Sequence, residues 1–172
     1  MITINKQQLK EFGACEAGFK RFISSTDNTE YDIDVIDLIG SDVTTDDLLW
    51  LAGKILQKKK IAQFAVDCAE SVVHLSENKE AHHNCIDAAN AVIENDNIYT
   101  RDAANAARDA ATYAATYAAT CAATYVAIYA VRATVYPTTI AAGDAARDAA
   151  YAAGDADDNF DVKPLLVKLF TK

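Results

Sequence analysis

The chain has 172 residues, half of them apolar, and carries 25 acidic against 16 basic side chains, for a net charge of −9. That length fits one domain, or one domain with a small appendage. The charge argues against direct nucleic-acid binding, because phosphate recognition needs clustered Lys and Arg and the basic run is confined to Lys58-Lys59-Lys60.

In chain order, Asn5 to Phe12 reads as a helix closed by Gly13, and Ala14 to Ile23 as a second with Phe19, Phe22 and Ile23 on one side. Ser24 to Glu30 is polar and turn-like. Ile33 to Ile39 fits a short helix or a strand equally well. Thr44-Thr45-Asp46-Asp47 is a helix start, with a threonine cap and carboxylates at the positive end of the dipole. Leu48, Leu49, Leu51, Ile55 and Leu56 form the apolar face of that helix. Lys58 to Lys60 suit its negative end, and Trp50 among the leucines is expected to anchor the core. Ile61, Phe64, Ala65, Cys68, Val72 and Leu75 mark a helix ending near Ser76, and a further helix runs from Lys79 to Glu94, followed by a turn at Asn95-Asp96-Asn97.

Alanine then takes over, with 23 of the 51 residues from Ala103 to Ala153. Alanine favours helix strongly but buries little surface, so its helices must pack closely around interspersed larger side chains. Tyr99 to Tyr136 contains no glycine or proline and as one straight helix would span about 55 Å, so a bend or break is expected within it. Pro137 ends it, Thr138 caps a helix from Ile140 to Ala153, and Asp161 caps a last one with Pro164 in its first turn. The sequence predicts an all-α helical bundle: an acidic unit of short helices over residues 1–57 and an alanine-rich bundle over 58–172.

Two features are candidates for partner binding. From Phe22 to Gly53 the chain holds Asp27, Glu30, Asp32, Asp34, Asp37, Asp42, Asp46 and Asp47 and no Lys or Arg, a charge pattern that suits either a solvated face or a basic protein partner. In the long helical stretch, Ala-Ala-Thr-Tyr recurs at four-residue steps and sets Tyr113, Tyr117, Tyr125 and Tyr129 in a row that drifts about 40° per step. These are bulky spacers in an alanine core or the lining of a docking groove.

The cysteines at 15, 68, 85 and 121 are widely spaced in apolar helical contexts and are expected to be small buried hydrophobes. His74, His82 and His83 with Cys68 and Cys85 form a cluster in which Glu70/His74 and His83/Asp87 share helix faces. That spacing permits a metal between adjacent helices, but fits an ordinary intrahelical pair at least as well. Phosphate-loop, nucleophile-elbow and zinc-protease motifs are missing, so neither an enzyme nor a cofactor is expected. The first ten residues lack the apolar run of a signal peptide and no stretch is apolar enough for a membrane span, so the chain reads as cytoplasmic, with no membrane partner.

The run Phe64-Ala65-Val66-Asp67-Cys68-Ala69-Glu70-Ser71-Val72-Val73-His74-Leu75, followed by Asp87-Ala88-Ala89-Asn90-Ala91-Val92-Ile93 and the alanine-rich region, resembles a family of bacterial and phage immunity-type proteins. Gly13-Ala14-Cys15-Glu16-Ala17-Gly18-Phe19-Lys20-Arg21-Phe22 resembles a leader on small phage-encoded proteins. The resemblance covers roughly residues 5–22 and 61–153 and implies neutralisation of a partner protein by stoichiometric binding in a bacterial cell. It transfers no functional residues. The acidic stretch leaves a second reading open, an acidic DNA mimic that blocks a defence or DNA-handling protein.

Overall fold

The computed structural model describes residues 1–27, 31–116 and 122–171. The N-terminal elements are short because each is closed by its own polar group. Strand β1 (Thr3–Ile4) leads into α1 (Lys6–Glu11), where Asn5 accepts the Gln8 N–H at 2.9 Å and Gln8 accepts the Asn5 N–H at 3.0 Å. This reciprocal cap satisfies two of the donors that a helix start leaves unpaired. Gly13, at φ +77°, supplies the left-handed turn into α2 (Glu16–Ser25).

The ambiguous Ile33–Ile39 segment divides. Ile33 and Asp34 form strand β2, antiparallel to β1 with Thr3 opposite Asp34 and Ile4 opposite Ile33, and Val35–Leu38 is a 3-10 turn started by the Asp34 carboxylate. The period-2 and period-3 signals were both present because Ile33 pairs with Ile4 in the ribbon, while Val35 and Leu38, three residues apart, are buried in the turn that follows.

Helix α3 (Thr45–Ile55) starts where expected: Thr44 accepts the Asp47 N–H at 3.2 Å and Asp47 accepts the Thr44 N–H at 3.0 Å. The lysine run does not close this helix. Leu56 and Gln57 break the chain, and Lys58 opens α4 (Lys58–Val72), placing the three lysines at a positive helix end. Burial overrides the dipole here: Ile61, Phe64, Ala65 and Cys68 must face the core, and that register fixes where the helix begins.

Helix α4 tightens into a 3-10 turn (Val73–Leu75) and is followed by α5 (Lys79–Glu94), α6 (Ile98–Thr116), α7 (Ala122–Val135), α8 (Thr139–Ala156) and α9 (Lys163–Phe170). The Tyr99–Tyr136 stretch is therefore not one straight rod. Both α6 and α7 pack on α5 and on each other, which a single 55 Å helix could not do. Among the described residues the chain is 75% helical, an all-α bundle with nine α-helices beside the two-stranded ribbon.

Helices α4, α7 and α8 pack mutually at the centre, with α3 on α8, α5 and α6 beside α7, and α9 on α4. Ala65, Ala69, Ala127, Ala130, Ala146 and Ala149 are fully out of water at these contacts. Small side chains let helix axes approach closely, and Phe64, Ile61, Val126 and Val131 fill what alanine leaves. At the α3–α8 crossing, a Cβ on Gly143 would lie 3.7 Å from the Leu49 carbonyl, so two backbones meet there. The buried apolar residues form one continuous cluster from Ile4 to Phe170, so residues 1–57 share a core with the bundle through α3. Helix α9 is strapped down by Lys168 to the buried Asp67 at 2.8 Å and by Lys60 to the Thr171 carbonyl at 2.5 Å. Its cap residue is Val162, with Asp161 accepting the Lys163 N–H one step further in.

Candidate functional site

An apolar concavity with polar groups at its edge lies between α2, α3 and the loop before α3. It has a volume of about 330 Å³, walls from Leu9, Phe22, Leu38, Val43 and Leu51, and an edge formed by Cys15, Arg21, Asp46, Trp50 and Arg147. Gly18 makes the arrangement possible. A Cβ at this position would fall 2.8 Å from the Asp47 carboxylate, so the bare backbone of α2 lies directly against the start of α3.

Asp47 is the hinge of this contact. Arg21 grips it bidentately at 2.7 and 2.8 Å, while the Thr44 N–H and hydroxyl add two further bonds. Burial alone would raise the Asp47 carboxyl, but Arg21 and Thr44 outweigh it and hold the group below the usual carboxylate range. Its neighbour Asp46 is engaged differently. The Asp46 carboxylate holds the nearby Tyr151 hydroxyl of α8 above the usual phenol range, and Asp46 Oδ1 is out of water with no hydrogen-bond partner. Arg147 is paired with Asp144 at 3.5 Å.

Two of the expectations for this region need correcting. Trp50 is half-buried and stands at the cavity edge with the Lys54 ammonium 5.6 Å from its ring centroid, so it is not a core anchor. Its three leucine neighbours are buried, but the helical turn carries the residue between them outward. Cys15 is an exposed N-cap whose Sγ accepts the Gly18 N–H at 3.3 Å, not a buried thiol. Cys68 and Cys85 are buried and free, as expected, and burial raises both thiols, Cys85 to about 11. Cys121 lies outside the described residues.

The acidic candidates divide by role. Asp47 and Asp34 are consumed as helix-starting groups, so neither is free to meet a partner. Asp46 lines the cavity beside α3. Asp27, Asp32, Asp37 and Asp42 are exposed, Asp32 with the Asn5 amide at 2.7 Å, and Tyr31, next to Asp32 in the chain, is 81% exposed. Glu30 lies outside the described residues, as do Tyr117 and the side chain of Tyr113. On α7, Tyr125 and Tyr129 sit with ring centroids 6.4 Å apart, and the Arg132 guanidinium lies 5.2 Å from Tyr129 and 5.3 Å from Tyr136. Arg132 also donates to the Tyr136 hydroxyl at 2.6 Å.

The histidines do not converge. The ring Nε2 of buried His82 meets the Ala69 carbonyl at 3.0 Å, His83 bonds the Lys79 carbonyl of its own helix, and His74 is exposed. Among the described residues no three His, Cys, Asp or Glu side chains are grouped as a metal would require, and no helix is long and apolar enough to cross a membrane.

Arg21, Cys15, Trp50 and Arg147 were not legible as site residues. The available signals were weak: Gly13 and Gly18 bracketing Cys15, and the Ala-Ala-Arg-Asp repeat that contains Arg147. No protein-family model matches the chain, and no curated protein or solved structure matches it.

Proposed function

We propose that this chain is a protein-binding factor of the inhibitor or immunity type, acting by stoichiometric complex formation with a basic protein surface. The observation that carries this reading is the division of the acidic stretch. Asp34 and Asp47 hold the fold, whereas Asp32, Asp37 and Asp42 stand in solvent and carry no ion pair among the described residues. A patch with uncompensated charge steers association with an oppositely charged partner and favours it over like-charged ones. The resemblance of the Cys68-Ala69-Glu70 segment and the alanine-rich region to immunity-type proteins supports the same reading.

The test is the association rate with a purified partner, measured against ionic strength for the parent and for a variant with Asp32, Asp37 and Asp42 replaced by asparagine. The variant should associate more slowly at low salt, and the difference should vanish at high salt, where charges are screened within about 10 Å or less. Its melting temperature should fall little, because none of the three caps a helix itself and Asp32 contributes one exposed hydrogen bond to the Asn5 amide. Equal rates at every salt concentration would remove these acids from binding. Turnover of a substrate by sub-stoichiometric protein would refute the reading altogether.

A further inference from the structure

The cavity beside α3 does not stand alone. A depression of about 260 Å³ lies between Thr45, Arg147, Tyr151 and Phe160, and another of about 330 Å³ between Gly40, Val43, Thr45 and the start of α9. The first shares Arg147 with the cavity, the second shares Val43 and Leu48 with it, and the two depressions share Thr45, Phe160 and Val162. All three border the first turn of α3, through Thr45, Asp46 or Leu48, and are taken together as a groove. We propose that this groove docks an extended segment of the basic partner, with one apolar side chain in the cavity and flanking Lys or Arg side chains against the acids along its rim. The proposal rests on the protein-binding reading above and names the site and the chemistry of the guest.

Three observations select this guest. The cavity has the volume and apolar walls of a ligand pocket, whereas the two depressions are shallower and more polar, which suits one anchoring side chain and a chain laid out beside it. The charges at the rim are complementary to a basic segment. Asp46 lines the cavity, Asp155 the first depression and Asp161 the second. The cations nearby are largely committed: Arg21 to Asp47 and Arg147 to Asp144, with Lys163 at the far rim. Finally, Asp46 lines the cavity with Oδ1 buried and lacking a donor. A carboxylate oxygen out of water with no partner is unfavourable, and an N–H or ammonium from a guest would relieve it.

Trp50 is the sole tryptophan and stands at the cavity edge, so its fluorescence reports occupancy directly. The probes are three capped tripeptides, Lys-Phe-Lys, Lys-Ser-Lys and Glu-Phe-Glu, titrated into the full chain at low and high salt. Lys-Phe-Lys should shift Trp50 emission saturably, Lys-Ser-Lys should bind at least about tenfold more weakly for want of the apolar anchor, and Glu-Phe-Glu should not saturate. High salt should weaken Lys-Phe-Lys. An equal response to all three, or no saturable response, overturns the proposal. Tighter binding of a neutral aromatic such as indole than of Lys-Phe-Lys also overturns it, because the cavity would then be a small-molecule site.

Ala14 lines the cavity and is half-buried, so Ala14→Phe should fill it and abolish the Lys-Phe-Lys response while circular dichroism is retained. Unchanged peptide binding by this variant would place the guest elsewhere. The two readings fail separately. A protein partner whose association depends on Asp32, Asp37 and Asp42 but ignores Ala14→Phe keeps the binding function and removes the groove. Peptide binding at the groove, with every protein complex indifferent to those acids, does the reverse.

Discussion

In residues 1–57 each short element is closed by a specific polar group: Asn5 and Gln8 for α1, Cys15 for α2, Asp34 for the 3-10 turn, Thr44 and Asp47 for α3. In the bundle the helices are long, their contacts are lined with alanine, and α4 begins at Gln57 without any side-chain cap. The first region is specified by directional bonds that tolerate little change of chemistry, the second by close approach that tolerates little change of volume. This difference also places the candidate site. Directional bonding leaves irregular loops and cavities, and the cavities concentrate round α3, where the two regions meet.

The largest effect that would test this contrast is a cavity in the bundle. Phe64 is fully buried on α4, and Phe64→Ala should cost about 3–5 kcal/mol in a denaturant melt. Trp50→Ala removes a larger ring but should cost clearly less, since Trp50 is half-buried and packs on the core only from the edge of a cavity. If the two costs are equal, the N-terminal region is packed as tightly as the bundle and the contrast fails.

Next is volume added to the alanine seam. Ala146→Leu on α8, at a position wholly out of water, should destabilise by about 1–3 kcal/mol through overpacking. A neutral or stabilising outcome would mean the helices are looser than their alanine lining implies. In the N-terminal region the matching change is chemical, not steric: Thr44→Ala removes half of a reciprocal cap and should cost about 1 kcal/mol with almost no change in volume.

The smallest expected effect is a dependence on pH that also separates the regions. Burial pushes the His82 imidazole below its usual range. A carbonyl only accepts, so the ring donates Nε2–H to Ala69 and remains neutral, with Nδ1 lacking a partner. The unfolded chain therefore binds a proton that the folded chain resists. Stability from this source is fully present above about pH 6.5 and is lost as the pH falls from there towards the lower folded value. Asp47, held low by Arg21 and Thr44, works in a separate window: its contribution is present above about pH 4 and is lost below it. His82→Gln should flatten the loss between pH 6.5 and 5 and leave the acid limb intact, as read from melting temperatures against pH. A parent protein with no slope in the upper window would contradict the neutral buried ring.

Much of the fold was legible because it rests on local physics. The Thr44 and Thr138 caps, the Lys79–Glu94 helix, the turn at Asn95–Asn97 and the buried Cys68 and Cys85 all follow from propensity, spacing and capping within a few residues. All-α character was secure for the same reason: alanine-rich periodic segments and caps agree along most of the chain. The exposed carboxylates could be counted from the sequence, but which of them were spent as caps could not.

Position in space was decided only by tertiary packing. Whether Trp50 points inward, whether Cys15 is buried and where α4 begins all depend on which face of each helix meets which neighbour, and the pattern of apolar residues leaves several registers open. The meeting of Gly18, Arg21 and Asp47 spans residues far apart in the chain and depends on the absence of a single Cβ. Composition and local pattern therefore determined that the chain is helical and acidic. The groove round α3 arises only when α2, α8 and α9 are brought against it, because a cavity is formed by several elements together and belongs to none of them.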